Sequence, residues 1–339
     1  MKISVVCPFF NEAAIIEKAV AHLETALGTL TEDWELILVN DGSRDDSAAV
    51  ARAAACDARV HVVGYEINRG RGFALRFGAE HATGDIVVTT EIDLSWGEDI
   101  VHRLAEAFRV HPDADMIVAS PHLPCGGYRN VPWSRVWLSS IGNRLLQAGQ
   151  GGEMTMYTGM TRAYRREMLL ALPLDEDEKE FHLEAAQKAQ ALGYRIYEIP
   201  CVLEWRTEKL LKPGSKTRTS SSRTRKLVLT HLTFALAAAP FRYVIPISIG
   251  LSVLALGFLI WAFVNLSTGT PSVYVFLVSL LLFLFAVVIF ANGILSYQMR
   301  QLQHDLWRLR YDGDNMAVRV RANAPHIAED FESSPRRSD

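Results

Sequence analysis

The sequence has few cysteines, no excess of positive charge and none of the common nucleotide-phosphate loops. Its four cysteines, Cys7, Cys56, Cys125 and Cys201, include no CxxC pair, so we expect neither a zinc site nor a disulfide framework. A formal net charge of -3 over 339 residues does not predict a nucleic-acid partner. No GxGxxG fingerprint follows the first apolar run and no GxxxxGK(S/T) loop occurs, which argues against an NAD enzyme and a P-loop ATPase. The start of the chain lacks a basic region followed by a long apolar stretch, so we expect no signal peptide.

Charge is also absent from two long apolar runs in the last third of the chain. Residues 243–266 and 272–297 contain no Asp, Glu, Lys or Arg, and each exceeds the roughly 20 residues that a helix needs to cross a bilayer. The short link STGTP between them predicts a transmembrane hairpin over residues 243–299. A pair of buried helices in a soluble core is the alternative.

Lysine and arginine lie on both sides of this hairpin, whereas the link carries no charge. The positive-inside rule therefore places both flanks, and the large amino-terminal region with them, in the cytoplasm. Residues 221–242 begin with basic residues and continue with an apolar body, which predicts an amphipathic interfacial helix or a plain helical connector. Residues 300–339 are expected to form a cytoplasmic tail with a disordered end. The flanking cations are Lys216, Arg218, Arg223, Arg225, Lys226, Arg242, Arg300, Arg308 and Arg310.

Short apolar runs alternate with helical patterns before the hairpin. The runs KISVVCPFF, WELILVN, VHVVGYE and GDIVVTT are separated by segments with helical spacing, which predicts an α/β fold with a mainly parallel central sheet. Such sheets bind ligands beyond the carboxyl ends of their strands. Polar residues follow the ends of all four runs: Asn11 and Glu12, Asn40 and Asp41, Asn68, and Glu91 and Asp93.

Eight segments, in order, resemble family 2 glycosyltransferases with the GT-A fold. The chain is most similar to the polyprenyl-phosphate sugar synthases, the dolichol-phosphate mannose synthase group. The segments are PFFNEA, VNDGSRDDS, NRGRGFALRFGAEHATGD, EIDLS, WSRVWLSSIGNRL, YTGMTRAYRRE, EFHLEAAQKAQALGYRIYEIP and WRTEKLLKPGSK. The resemblance implies a GT-A catalytic domain over residues 1–220. It also implies that the protein is an integral membrane enzyme that moves a monosaccharide from a UDP- or GDP-linked sugar to polyprenyl phosphate, with inversion at the anomeric carbon. The product would serve cell-envelope glycans or glycolipids.

The resemblance also implies the donor site. Pro8, Asn11 and Glu12 would line the nucleotide pocket, with Asp41 accepting a hydrogen bond from the nucleobase and Arg71 reaching a phosphate. Glu91 and Asp93 stand where the family has a DxD motif, and whether the longer Glu91 binds the metal directly, through water, or contacts the sugar instead stays open. Ser95 replaces a glutamine that usually assists the metal. These residues imply a divalent cation, Mg²⁺ or Mn²⁺, as cofactor, because hard cations bind carboxylates and diphosphate oxygens.

The acceptor site is implied by the segment WSRVWLSSIGN. Arg135, Ser139 and Asn143 recur every four residues and therefore share one helix face, where Arg135 would bind the lipid phosphate. The family pattern also implies a loop over the donor that carries Arg206, Ser215 and Lys216, so Asp93, Arg135 and Arg206 are the predicted catalytic residues. No general base is predicted, because a phosphomonoester with a second pKa of about 6 is already ionised.

Several positions depart from the family pattern. Pro121 stands where an arginine would grip the lipid phosphate, for which His122 or Arg129 would substitute, and Thr155 stands where a carboxylate is usual. These departures leave open a catalytically weak paralogue that binds a nucleotide sugar or acts as a scaffold. A processive polysaccharide synthase is a second alternative, although the chain has LEWRTE where such an enzyme needs a QxxRW element. The sugar, the base and whether the chain forms a homo-oligomer also stay open.

Overall fold

The predicted alternation of strands and helices is present in the computed structural model, which describes residues 1–93, 95–149, 154–205, 240–270 and 272–323. The inner parallel strands are short apolar runs that are buried along most of their length, as at Lys2–Phe9 and Asp33–Asp41. The two edge strands, Val60–Tyr65 and Ile196–Pro200, are only partly buried. The elements of the first 205 residues are β1 Lys2–Phe9, α1 Ile16–Leu27, β2 Asp33–Asp41, α2 Ser47–Ala54, β3 Val60–Tyr65, α3 Arg71–His81, β4 Ile86–Thr89, α4 Ile100–Val110, β5 Met116–Ser120, β6 Gly127–Arg129, α5 Trp133–Gly149, β7 Arg162–Arg165, α6 Arg166–Ala171, α7 Phe181–Ala191, β8 Ile196–Pro200 and β9 Val202–Glu204.

Seven strands form the central sheet in the order β3-β2-β1-β4-β7-β5-β8. Only β7 runs antiparallel to its neighbours β4 and β5, which confirms the mainly parallel sheet. The register pairs Pro8 with Val39 and Val6 with Thr89, so β1, β2 and β4 end at the same edge. The polar segments that follow these strands therefore lie together, as predicted.

The antiparallel strand β7 and a small second sheet complete this edge. Thr89 in β4 is fully buried and donates a hydrogen bond through Oγ1 to the carbonyl of Met160 at 2.7 Å, which fixes the chain just before β7. Strands β6 and β9 pair in parallel as a separate two-stranded sheet. The backbone N–H of Trp205 donates to the carbonyl of Arg129, which ties the end of this region to the loop before α5.

Two long helices, α8 Pro240–Ser267 and α9 Val273–Asn323, are long and apolar enough to cross a membrane. Their apolar spans have mean hydropathies of 2.4 and 3.1. They pack along a seam of small residues, since Ser279 Oγ donates to the Ala255 carbonyl at 2.8 Å and a Cβ at Gly293 would approach Val244 Cγ1 to 2.7 Å. Large apolar side chains on the outer faces are exposed, as lipid contact requires.

Helix α9 runs past the predicted end of the apolar run at Tyr297 and continues to Asn323. Strong helix formers (Gln, Met, Arg and Leu) make up most of residues 298–312, and no glycine or proline occurs before Gly313, so nothing in the local sequence ends the helix at Tyr297. The predicted boundary at residue 220 and most of the interfacial helix 221–242 lie outside the described residues.

Candidate active site at the carboxyl edge of the sheet

A cleft of about 240 Å³ lies beyond the carboxyl ends of β1, β2 and β4. Its position follows from the parallel register, since three loops leave the sheet at the same edge. Six predicted site residues line it: Pro8, Glu12, Asp41, Arg71, Glu91 and Asp93. Phe9, Phe10, Ile92 and Met160 form the rest of the wall.

Asp41, at the end of β2, is held by the loop between β3 and α3. Its Oδ1 accepts hydrogen bonds from Tyr65 Oη at 2.8 Å and from the backbone N–H groups of Arg69 and Gly70 at 2.9 and 3.2 Å. Its Oδ2 accepts one from Asn68 Nδ2 at 2.9 Å. Burial and the bond to Asp41 raise the pKa of Tyr65, so the phenol stays a donor. A carboxylate offers about four acceptor positions, so Oδ2 retains capacity for a further donor in the cleft.

Asn11 has a different environment from the one predicted. It adopts a left-handed backbone conformation with φ of 54°, which asparagine tolerates. Its Oδ1 accepts from the backbone N–H of Arg44 at 2.8 Å, and its own N–H donates to Ser43 Oγ at 3.1 Å. Asn11 therefore joins the loops that follow β1 and β2 and does not appear among the side chains that line the cleft. Its direct contact with a nucleotide stays a prediction.

Glu91 and Arg71 face each other across the cleft. Arg71 Nη1 lies 3.5 Å from Glu91 Oε1, and both side chains are partly exposed. Arg71 is the first residue of α3, whereas Glu91 follows β4, so the pair joins the start of the helix to the segment after the strand. The sequence pattern predicted both residues at the donor site but not their contact with each other.

Asp93 is oriented by Ser95. Ser95 Oγ and the Ser95 N–H both donate to Asp93 Oδ1, at 2.6 and 3.1 Å. Ser95 is 3% exposed, so its hydroxyl faces Asp93 from inside the protein. In this arrangement Ser95 supports the carboxylate, and its role as a metal ligand stays a prediction.

The carboxylates suit a cation that shares its ligands with a substrate. No group of three or more His, Cys, Asp or Glu side chains that would hold a metal alone occurs in the described ranges. Two carboxylates, Glu91 and Asp93, line the same cleft. Mg²⁺ typically takes one or two carboxylates and completes its shell with phosphate oxygens and water. The donor set therefore fits a divalent cation that binds together with a diphosphate.

Ser139 and Asn143, on α5, belong to a second polar cluster with two residues from the β5–β6 region. Tyr128 Oη lies 3.1 Å from His122 Nε2 and 3.5 Å from Ser139 Oγ. Asn143 is 2% exposed, and its Nδ2 donates to the Ser139 carbonyl at 3.0 Å and lies 3.5 Å from His122 Nε2. Burial, followed by the charge of Arg144, lowers the pKa of His122 and keeps its ring neutral.

The two cations predicted for the acceptor side contact residues outside this polar cluster, and their binding of the lipid phosphate stays a prediction. Arg135 stacks over the ring of Trp205, with its guanidinium carbon 4.8 Å from the ring centroid. Arg129 Nη1 lies 3.4 Å from Glu204 Oε2. His122 rather than Arg129 therefore lies with Ser139 and Asn143.

Two charged residues, the partly buried Glu198 and the fully buried Arg162, were not singled out from the sequence. Glu198 in β8 accepts hydrogen bonds from the N–H and Oγ1 of Thr155, at 2.8 and 2.9 Å, and from the N–H of Met156 at 2.8 Å. It supplies a carboxylate beside the position where the family usually has one. Arg162 is fully buried and donates to the carbonyls of Tyr157 and His182, both at 2.6 Å. For Glu198 the available signal was a charged residue inside the short strand IYEIP, whereas Arg162 begins the strand RAYR, which carries no such signal.

Three predicted residues of the loop over the donor, Arg206, Ser215 and Lys216, lie outside the described residues.

Comparison with known proteins places this geometry in a family. Residues 4–172 match the family described as glycosyl transferase family 2. The undecaprenyl-phosphate 4-deoxy-4-formamido-L-arabinose transferase of Shewanella sediminis (strain HAW-EB3) is 33% identical over 173 residues, which are 50% of each chain. The protein of the same name from Sodalis glossinidius (strain morsitans) is 35% identical over 173 residues, 50% of this chain and 51% of that protein. The chain spans about half the length of these curated relatives.

Solved structures show the same fold at lower identity. Glucosyl-3-phosphoglycerate synthase from Mycobacterium tuberculosis superposes with a TM-score of 0.52 at 22% identity, over 70% of this chain and 81% of that chain. The same enzyme in complex with Mn²⁺, uridine diphosphate and phosphoglyceric acid gives a TM-score of 0.50 at 21% identity, over 69% of this chain and 78% of that chain. Residues 4–172 of this chain therefore belong to glycosyl transferase family 2, and the domain has the GT-A fold.

Proposed function

We propose that this protein is a membrane-bound inverting glycosyltransferase that moves a monosaccharide from a UDP- or GDP-linked sugar to a polyprenyl monophosphate on the cytoplasmic face. The product would be a polyprenyl-phosphate sugar for cell-envelope glycan or glycolipid modification. The observation that carries the proposal is the cleft of a family 2 domain in which Asp41, Arg71, Glu91 and Asp93 come together. The names of the relatives support a polyprenyl phosphate as the acceptor.

The donor would lie across the ends of β2 and β4. Asp41 Oδ2 would accept the imide N–H of uracil or guanine, since its Oδ1 is already held by the β3–α3 loop. Arg71 would approach the diphosphate, because a guanidinium forms charge-assisted hydrogen bonds with phosphate oxygens. It would exchange its contact with Glu91, at 3.5 Å, for the substrate.

Asp93 and Glu91 would hold the divalent cation, with Ser95 keeping the carboxylate of Asp93 in place. When bound, such an ion neutralises the charge that develops on a leaving diphosphate. Asp93 is the stronger candidate, because its orientation is set by two hydrogen bonds from Ser95.

The acceptor phosphate would bind beside α5. His122, Tyr128 and Ser139 form a cluster of hydrogen-bonding groups, and Arg135 lies exposed on the same helix. Trp133 and Trp137, one turn apart on α5, are 79% and 60% exposed. Exposed tryptophans are favoured at membrane–water interfaces, which supports a position of this helix near the lipid that carries the acceptor.

The chemistry would be one displacement at the anomeric carbon. An oxygen of the acceptor phosphate forms the new bond from the face opposite the nucleotide diphosphate, whose bond to the sugar breaks, so the configuration inverts. Because the phosphate is already ionised at neutral pH, no side chain has to remove a proton. The protein would act by positioning both phosphates and by stabilising charge.

The test is transfer by the purified full chain in lipid nanodiscs with polyprenyl phosphate and Mn²⁺ or Mg²⁺. The donors are GDP-Man, UDP-Glc, UDP-GalA, UDP-GlcNAc and UDP-L-Ara4FN, and the product is detected as a glycolipid by mass spectrometry. We expect one donor to yield product. No transfer with any donor would contradict the proposal, and nucleotide binding without metal dependence or turnover would favour the catalytically weak paralogue.

A further inference from the structure

The turn that begins α3, residues 70–73, packs against an acidic loop, residues 175–178, whose sequence is DEDE. Gly70 has a φ of 98°, and a Cβ there would lie 2.5 Å from the Asp177 carbonyl oxygen. A Cβ at Gly72 would lie 2.4 Å from the Glu176 carbonyl oxygen. The Phe73 N–H donates to the Asp177 carbonyl at 3.1 Å. The backbones of the turn and of the acidic loop therefore touch, and a displacement of one must move the other.

The acidic loop is held from its own side by α7. Glu184 accepts hydrogen bonds from the N–H groups of Asp175 and Glu176, at 3.0 and 2.9 Å. Lys188 is 2% exposed, and its Nζ lies 2.6 Å from Glu184 Oε1 and 3.2 Å from Asp175 Oδ2. These contacts hold the start of the loop from the side of α7.

The carboxyl-terminal part of α9 contacts the acidic loop through Arg310 and the segment before β8 through Tyr311. Arg310 Nη1 donates to Asp175 Oδ1 at 2.9 Å. Tyr311 Oη accepts from Tyr194 Oη at 2.6 Å. Burial tends to raise the pKa of Asp175, but the hydrogen bonds from Arg310 and Lys188 outweigh it and hold the pKa below its ordinary value. Asp175 is therefore an anion between two cations at neutral pH.

A third contact joins α9 to the catalytic domain. Lys188 Nζ lies 5.2 Å from the centroid of the Trp307 ring, within the range of a cation–π contact. Trp307, Arg310 and Tyr311 are spaced by three and four residues and so share one face of α9. The helix that continues from the second apolar span thus meets the catalytic domain along that face.

The turn is clamped on its other side by the donor cleft. The N–H groups of Arg69 and Gly70 donate to Asp41 Oδ1, and Arg71 follows directly with its contact to Glu91. A continuous series of contacts therefore runs from Arg310 through Asp175 and the acidic loop to Arg71.

We infer that Arg310 is a positioning residue, through which the extension of the second membrane helix holds the acidic loop and thereby places Arg71 for the donor diphosphate. The inference rests on the proposed function, in that the ligand of Arg71 is taken to be the nucleotide sugar. A single exposed ion pair contributes little by itself. The effect is expected because the loop transmits the contact to the turn by direct backbone packing.

The test compares Arg310→Ala with Arg310→Lys and with Arg308→Ala in the full chain in nanodiscs. Arg308 is an exposed arginine two residues earlier on α9 and controls for loss of a positive charge. We expect Arg310→Ala to raise the KM for the nucleotide sugar about five-fold, while kcat and the KM for polyprenyl phosphate stay unchanged. Arg310→Lys should retain most of the donor affinity, and Arg308→Ala should behave as the wild type.

Hydrogen exchange gives a readout that does not depend on turnover. In Arg310→Ala, the amides of residues 69–77 should exchange faster, because the N–H of Phe73 loses a fixed acceptor. Unchanged exchange, or equal rises in the KM of donor and acceptor, would overturn the inference. If the wild-type chain transfers no sugar, the proposed function fails, and the exchange of residues 69–77 in Arg310→Ala still decides whether α9 positions the turn.

Discussion

Ser95 donates two hydrogen bonds to a single carboxylate oxygen of Asp93, one from its hydroxyl at 2.6 Å and one from its backbone N–H at 3.1 Å. The buried serine thus fixes the orientation of an acid in the cleft. A short side chain at this position is well suited to the task, because it reaches a residue two positions away without extending into the space for the diphosphate.

Removing the carboxylate of Asp93 should abolish transfer. We expect Asp93→Ala to lower kcat by at least about 100-fold. Without this carboxylate the protein would hold the divalent cation poorly, and the cation is what would neutralise the charge on the leaving diphosphate. Ser95→Ala should keep the carboxylate but lose its orientation, with a loss of about ten-fold. Transfer rates at saturating donor measure both, and an active Asp93→Ala enzyme would remove the metal assignment.

Glu91 should tolerate shortening better than neutralisation. Glu91→Asp keeps the charge opposite Arg71 and should retain part of the activity, whereas Glu91→Gln removes the ion pair that is seen at 3.5 Å. The pair is partly exposed, so its loss should affect stability by less than about 1 kcal/mol. If Glu91→Gln left both the KM for the nucleotide sugar and the metal dependence unchanged, this carboxylate would bind neither the donor nor the divalent cation.

His122 should contribute to acceptor binding. It lies within 3.5 Å of Tyr128 and Asn143 in the cluster that includes Ser139. His122→Ala should raise the KM for polyprenyl phosphate about ten-fold without changing the KM for the nucleotide sugar, since it removes one hydrogen-bonding group. Arg129→Ala is the matched control, because Arg129 pairs with Glu204 instead. A larger rise in the KM for polyprenyl phosphate in Arg129→Ala than in His122→Ala would assign the acceptor contact to Arg129.

Removal of the divalent cation should stop transfer reversibly. Treatment with EDTA should abolish transfer, and later addition of Mn²⁺ or Mg²⁺ should restore the rate. The proposed site has two carboxylates and, among the described residues, no group of three or more His, Cys, Asp or Glu side chains, so the ion would depend on the diphosphate for further ligands. Isothermal calorimetry should show that the ion tightens binding of the nucleoside diphosphate. Full activity in EDTA would contradict a metal-dependent reaction.

Glu35 should make the catalytic domain less stable in acid. It is 4% exposed and accepts hydrogen bonds from Ser4 Oγ at 2.5 Å and from the Thr83 N–H at 2.6 Å, with Lys2 Nζ at 3.0 Å. Burial tends to raise its pKa, but these partners lower the pKa from 4.5 to about 2. Because the folded-state pKa is the lower one, the stabilisation is present above pH 4.5 and is lost as the pH falls towards 2.

The matched variant for this effect is Glu35→Gln. At neutral pH the variant should be less stable than the wild type by up to about 3 kcal/mol, since each unit of pKa shift corresponds to about 1.4 kcal/mol. The difference should narrow as the pH falls below 4.5. Unfolding midpoints at several pH values measure the difference in stability between the wild type and Glu35→Gln. A difference that does not depend on pH would show that packing, and not the charge of Glu35, causes the loss of stability.

The strand ends of the cleft were predictable because they depend on local signals. Apolar runs that end in Asn11, Asp41, Asn68 and Glu91 specify parallel strands, and parallel strands end at one edge whatever their order in the sheet. The exact partners were not predictable. Arg71 and Glu91 are 20 residues apart in the chain, and only the crossover that puts β4 beside β1 brings them within 3.5 Å.

The sequence by itself determined the fold class, the family and the two apolar helices, since each depends on composition, periodicity or motif order along the chain. Tertiary structure alone decided which polar groups meet. His122 joins Ser139 and Asn143, Glu198 reaches Thr155, and Arg310 reaches Asp175, over sequence separations that no local pattern encodes. The reason is physical: buried or paired polar groups must find partners in space, and the packing of strands and helices sets which partners are near.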